Sequence, residues 1–203
     1  MKISVSFISE GRMLEGVMYL PPDTHSIPLP GLLFEGSMTS ATTQVTDHIA
    51  QLVADEGFIA MVLDHSFLGD SEKSALSWES PGKRIEDIKA AFDFLSKQES
   101  CDKNMIVGVG VSVGAEYLAQ AVEQSMKTGE RIPLCNALAM LEGPYDDSQK
   151  YVSSLDIPHV VIDDSNIESA VEELVMWVRS LGSQLRQKET WRASTVDWSQ
   201  TDK

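Results

Sequence analysis

The chain has 203 residues, 42% hydrophobic and 23% charged, with 13 Gly and 8 Pro, a composition that excludes a disordered tail, a collagen-like repeat and a disulfide mini-protein. Its 16 Lys and Arg face 31 Asp and Glu, for a net charge of −15 with no basic stripe; nucleic acid and membrane are therefore not expected partners. A chain this long can bury about 70% of its unfolded surface around one core, so a single domain over 1–183 with a polar tail over 184–203 is expected.

The elements follow in chain order. Ile3 to Ile8 alternate as a strand, Ser9-Glu10-Gly11-Arg12 supplies a turn, and Leu14 to Leu20 returns, which predicts an antiparallel hairpin. Pro21-Pro22 ends it, and a connection marked by Pro28 and Pro30 leads to the short apolar run Gly31 to Phe34, the signature of a buried strand. Val45, Ile49, Leu52 and Val53 recur at helical spacing, with Gly57 where a helix end favours a left-handed residue. Phe58 to Leu63 is the next strand, followed by the polar loop from Asp64 to Ser71; Ile85, Ile88, Phe92 and Leu95 form a helical stripe. Met105 to Val109 is a further buried strand. A helix after Ser112 carries Leu118, Ala121 and Val122 inward, and strands follow at Ala137 to Leu141 and His159 to Ile162. The last helix starts near Ile167 and carries Val171, Leu174, Val175, Val178 and Leu181; the tail from Gln184 holds Trp191 and Trp198, which can cover a crevice or anchor an oligomer.

Strands alternating with helices of roughly ten to fifteen residues imply an α/β three-layer sandwich: a mainly parallel sheet of about seven strands, helices on both faces, and the hairpin at one edge. Ligands bind such sheets beyond the carboxyl ends of the strands. The residues just after each strand therefore matter most. Cys101 and Cys135, with no second pair and no clustered His, exclude a structural zinc site and suit free thiols in a reducing cytoplasm. No leader-like apolar run opens the chain, and no stretch approaches the roughly 18 apolar residues of a membrane span, so a cytoplasmic protein is expected.

After the strand Met105 to Val109 comes Gly110-Val111-Ser112-Val113-Gly114-Ala115, with a helix beginning at once. Gly-x-Ser-x-Gly in a strand-turn-helix setting is the signature of a nucleophile elbow. So sharp a turn strains the serine backbone and requires small neighbours, a requirement that Gly110, Gly114 and Ala115 meet. The Ser112 hydroxyl is then exposed at the sheet edge beside the positive end of a helix, with the Val113 N–H toward a developing oxyanion. A serine hydroxyl also needs a base to take its proton.

These residues resemble the α/β-hydrolase superfamily and, within it, the dienelactone hydrolase-like branch. The similarity runs from the hairpin through the loop Leu63 to Ser71, the helical run Arg84 to Leu95 and the Ser112 turn, roughly residues 3 to 125. The resemblance implies an α/β-hydrolase fold with a shortened C-terminal part. Relatives begin the loop after the third strand with His-Gly and take the second oxyanion donor from it; here Glu35-Gly36-Ser37 match, and the donor depends on Gly36 and the Ser37 N–H. A glutamate at this place resembles dienelactone hydrolases, where a carboxylate of this loop approaches the nucleophile; Glu35 is either a proton acceptor or a brace for the loop. Relatives also place an acid after the seventh strand and a histidine after an eighth. Here Asp163-Asp164-Ser165-Asn166 runs directly into the last helix, and the eighth strand with its histidine is expected to be missing. Asp163 and Asp164 each fit either the acid or a helix N-cap.

Four histidines remain. His159 opens a strand at the wrong sheet edge, His48 lies on a helix surface, and the path of His25 is open. His65, which follows a strand at the crevice rim, is the leading base. Glu142 and Asp146, after the sixth strand, are substitute acids or solvated turn residues. The resulting expectation is a serine hydrolase acting on a small ester, lactone or thioester, without metal or organic cofactor. Ser112 is its nucleophile, Glu35 and His65 manage the proton, and Val113, Gly36 and Ser37 form the oxyanion hole. The alternative is a catalytically inactive descendant that binds a small molecule or protein partner, because a triad without its base keeps only the oxyanion hole and binding. Homodimerisation through an edge strand or the tail stays open.

Overall fold

The computed structural model describes residues 1–22, 27–36, 40–64, 81–128, 134–141 and 152–194. In chain order the elements are β1 (Lys2–Ser9), β2 (Arg12–Tyr19), β3 (Leu29–Glu35), α1 (Ser40–Asp55), β4 (Ile59–Asp64), α2 (Pro81–Ser96), β5 (Cys101–Val111), α3 (Val113–Lys127), β6 (Ala137–Leu141), β7 (His159–Ile162) and α4 (Ile167–Ser194). They build one seven-stranded sheet in the order β1-β2-β4-β3-β5-β6-β7. Strands β4, β3, β5, β6 and β7 run parallel. The hairpin joins antiparallel, through β2 beside β4.

Why the hairpin forms is local. Ser9 pairs with Arg12, so Glu10 and Gly11 alone make the turn, and both take positive φ, 46° and 77°. Two successive left-handed residues make a turn whose twist matches that of the flanking strands. The hairpin is then tied to the body by charge as well as packing. The carboxylate of Asp87 on α2, fully buried, accepts from Ser9 Oγ at 2.6 Å and pairs with Arg12 Nη2 at 2.9 Å.

The apolar runs of the central strands reflect burial on both faces. Successive residues of β3 take opposite sides: Leu33 packs with Ile88, Phe92 and Leu118 under α2 and α3. Leu32 and Phe34 pack with Ile49, Val53, Leu174 and Val178 under α1 and α4. Phe34, Phe92 and Leu118 are each at most 1% exposed, and burial of such a side chain contributes about 1.5–3 kcal/mol. This is the expected three-layer arrangement. Helix α1 ends as read, with Gly57 at φ 95° and its N–H on the Ala54 carbonyl.

Several boundaries shift by a few residues from the sequence reading, and two of the shifts have a physical reason. Strand β5 begins at Cys101, four residues before Met105, because Leu29 pairs with Cys101 across an irregularity before the regular register resumes at Gly31 and Ile106. Helix α4 runs on through Gly182 to Ser194, well into the polar tail, since residues 184–194 hold neither Gly nor Pro and a polar composition alone does not stop a helix. Among the described residues no helix is long and apolar enough to cross a membrane.

Candidate functional site

Ser112 is the single residue between β5 and α3. Its φ of 54° and ψ of −129° lie where side chains are strongly disfavoured. Only one other non-glycine among the described residues, the turn residue Glu10, has a positive φ. The neighbours show how the turn is tolerated. A Cβ at Gly110 would strike Ala115, lying 2.8 Å from its nitrogen. One at Gly114 would strike the Glu35 carbonyl and lie 2.8 Å from the Gly36 nitrogen. The small residues thus let the start of α3 fold back over β5 and press directly on the chain leaving β3. Two backbone bonds fix the turn, from Ser112 N to the Leu141 carbonyl at 3.2 Å and from Ala115 N to the Ser112 carbonyl at 3.0 Å.

The Ser112 side chain makes no capping bond to α3, so its hydroxyl is not committed to the helix end, and the residue is half-exposed. Val113, the first helical residue, is 39% exposed. Its N–H belongs to the first turn, whose donors have no partner within the helix. A helix N-terminus also carries partial positive charge. The arrangement can therefore hold an anionic oxygen beside an accessible hydroxyl.

Glu35, the last residue of β3, stands opposite Gly110 of β5. Strand alternation turns its side chain to the α2 and α3 face, where it is 1% exposed. Arg84 of α2, also 1% exposed, meets it there. Arg84 Nε donates to Glu35 Oε1 at 2.7 Å and Nη2 lies 2.6 Å from the same oxygen. Nη2 also donates to the carbonyl of Gly36, and the guanidinium stands over the Tyr117 ring of α3, 4.1 Å from its centre. Of the two roles open to Glu35, this geometry favours the brace, because one carboxylate oxygen is occupied by two donors of a buried cation.

Arg84 was not singled out from the sequence. The available signal was its position. Arg84, Ile88, Ala91 and Leu95 recur at intervals of three or four on the buried stripe of α2, and a cation on an apolar stripe calls for a buried anion.

Strand pairing places the acids. Ile162 neighbours Leu141, which neighbours Val111, so Asp163 and Asp164 leave β7 at the same sheet edge as Ser112, two strands or about 10 Å across. The N-cap of α4 is neither of them but Asn166, whose Oδ1 accepts from Ser169 N at 2.8 Å and whose carbonyl takes the first helical bond. The chain needs two more residues to turn before the helical bonds begin, which moves the cap past the aspartates. Asp164 shapes that turn by accepting from Asn166 N at 2.8 Å. Its carboxyl is held below the usual value first by a hydrogen bond from Ser169 and then by the Asn166 backbone. Asp163 is exposed.

His48 is exposed on α1 and His159 is exposed at the opening of β7, three residues before the edge that carries Ser112, with Nδ1 3.1 Å from the Ile157 carbonyl. The structure brings neither to Ser112. His25, Ser37, His65, Glu142, Asp146 and Trp198 lie outside the described residues. No three metal-ligating side chains gather among the described residues. Cys101 and Cys135 are buried free thiols, both pushed up to about 12 by burial.

No protein-family model matches the chain. It is 26% identical over 140 residues to the uncharacterized protein PA2218 of Pseudomonas aeruginosa, covering 68% of this chain and 38% of that protein. It is 27% identical over 163 residues to the uncharacterized protein YcjY of Escherichia coli, covering 76% and 53%. The chain thus spans about half or less of the length of these curated relatives. The crystal structure of PA2218 superposes with a TM-score of 0.60 at 22% identity, over 95% of this chain and 55% of that one. A hyperthermophilic esterase from the archaeon Pyrobaculum calidifontis superposes with a TM-score of 0.70 at 11% identity, over 90% of this chain and 86% of its own. What the chain shares with that esterase is the α/β-hydrolase fold.

Proposed function

We propose that the chain is a serine hydrolase for a small acyl substrate, an ester, lactone or thioester, with Ser112 as nucleophile. The observation that carries this reading is the strained backbone of Ser112, φ 54° and ψ −129°, at a strand-helix turn tightly packed on both sides. Strain of this kind persists where the surrounding structure enforces it, typically at functional sites.

In the reaction, Ser112 Oγ forms a bond to the acyl carbon while its proton passes to a base. The carbonyl oxygen takes the negative charge facing the N–H of Val113 and the backbone after Gly36. Collapse of the adduct breaks the bond to the leaving group, which receives the proton, and water then releases the acid by the same two steps. His65, from the loop after β4, is the proposed base. Asp163, Asp164 and Glu142 follow β7 and β6 and are proposed to balance its charge. Glu35 braces the loop after β3. A carboxylate at that place is also what supports the dienelactone hydrolase-like branch.

A second reading, a catalytically silent relative that binds a small molecule or protein, is favoured by one observation. Strand β7 leads through a four-residue turn directly into α4, with no further strand between them. Turnover of p-nitrophenyl acetate and fluorophosphonate labelling, each compared between the native chain and Ser112→Ala, decide between the two. Labelling and turnover that vanish in the variant support the hydrolase. Inertness of the native chain toward short esters, lactones and thioesters refutes it.

A further inference from the structure

We propose that Arg84 is a positioning residue that fixes the backbone arm opposite Val113, so that the chain after β3 presents its donor to the acyl oxygen. This inference rests on the hydrolase reading of Ser112 and extends it to a residue two elements away in sequence.

Three observations on one guanidinium support it. Arg84 reaches the strand end through Glu35, at 2.7 and 2.6 Å. The same group donates to the carbonyl of Gly36. It also stacks 4.1 Å from the centre of the Tyr117 ring on α3, the helix that begins immediately after Ser112. One buried side chain therefore touches both halves of the site, the chain leaving β3 and the helix of the nucleophile turn.

The consequence for the Gly36 peptide follows from its planarity. Its carbonyl is held by Arg84, and because a peptide unit is planar, holding that carbonyl fixes the rotation of the whole unit. Gly36 has no side chain to set its own rotation, and a Cβ there would strike Thr46 Oγ1. The orientation thus has to come from an external partner, and the Arg84 fork supplies two donors in a fixed plane. Glu35 holds the fork in place, and the Tyr117 ring packs against its face. Lysine keeps the charge but offers one nitrogen and cannot hold carboxylate and carbonyl in the same plane.

The test measures kcat and KM for p-nitrophenyl acetate on the full chain. Arg84→Lys is expected to lower kcat by about 100-fold, the loss seen when one oxyanion donor is removed, while KM stays within about twofold and the far-ultraviolet circular dichroism is unchanged. Glu35→Gln is expected to lose several-fold less than Arg84→Lys. If Arg84→Lys does not fold, the double variant Arg84→Met with Glu35→Met replaces the buried pair by apolar groups, a change such pairs tolerate; it is expected to keep the fold and lose kcat to the same extent. Native kcat in either folded variant overturns the proposal, as does a Glu35→Gln loss equal to that of Ser112→Ala, which would make Glu35 the proton acceptor. If the native chain shows no Ser112-dependent turnover, the hydrolase reading fails by itself. The arm is then judged by amide hydrogen exchange: faster exchange at the amide that follows Gly36 in Arg84→Lys, with β5 unchanged, sustains it, and equal exchange refutes it.

Discussion

The strain at Ser112 can be weighed without any substrate by comparing Ser112→Gly with Ser112→Ala. Both substitutions remove the hydroxyl, and that hydroxyl makes no capping bond to α3, so its loss cancels between them. What differs is the Cβ. At φ 54° and ψ −129° the backbone occupies a region that glycine enters freely and other residues enter at about 1–3 kcal/mol. Glycine gives back about 0.5–1 kcal/mol through the larger freedom of the unfolded chain. The balance favours the glycine variant by about 1 kcal/mol. For a domain of this size that is a rise of about 2–4 °C in Tm. Urea unfolding followed by fluorescence, with m equal in the two variants, measures the difference directly. A glycine variant no more stable than the alanine variant refutes the idea that strain is stored at this turn, and with it the main support for Ser112 as nucleophile.

The other predictions test the packing and titration around that turn. Gly114→Ala sets a methyl against the Glu35 carbonyl and 2.8 Å from Gly36 N; it should lower stability by several kcal/mol, about the severe end for single substitutions, whereas Gly82→Ala on α2, with nothing within 4 Å, should be neutral or stabilising by up to about 1 kcal/mol in the same urea assay. Cys101 and Cys135, each raised from 9.0 to about 12 by burial, should stay unlabelled by a disulfide reagent at pH 8 in the native chain and react fully in urea. Because their folded values lie above the unfolded ones, the stability they contribute is complete below pH 9 and falls as pH rises toward 12; Cys135→Ala should flatten this alkaline limb. Asp164 has the opposite sign: its folded value is depressed, so its contribution is present above its ordinary value and is lost as pH falls through the folded one. Asp164→Asn should weaken the acid dependence below about pH 4, seen in Tm against pH.

What the sequence revealed and what it withheld divide along a physical line. A parallel sheet covered on both faces requires its strands to be apolar on both sides, so Phe58 to Leu63 and Met105 to Val109 were recognisable as continuous runs. The sharp turn was recognisable too, because its sterics demand small residues at Gly110 and Gly114, where a Cβ would strike Ala115 and the Glu35 carbonyl. Arg84 was not, since periodicity records which face a residue occupies but not whether a cation on that face has an anion waiting. That depends on β3 and α2, 49 positions apart, meeting in space. The cap of α4 failed for a related reason: Asp163, Asp164 and Asn166 are all good cap residues, and only the path of the turn selects Asn166.

The same line bears on Glu35. As an isolated carboxylate beside a serine it reads as a proton acceptor. With Arg84 in place it reads as the anchor of a clamp, and the two roles exclude each other at any one moment. A carboxylate can take a proton from Ser112 only by leaving a guanidinium that would then be buried and uncompensated, a state that costs about 3–5 kcal/mol when one partner of such a pair is removed. A base reached through that step would give up about two to four powers of ten in rate. The clamp requires no such step: Arg84 stays paired with Glu35 while it holds the carbonyl of Gly36 and stacks on Tyr117 of α3.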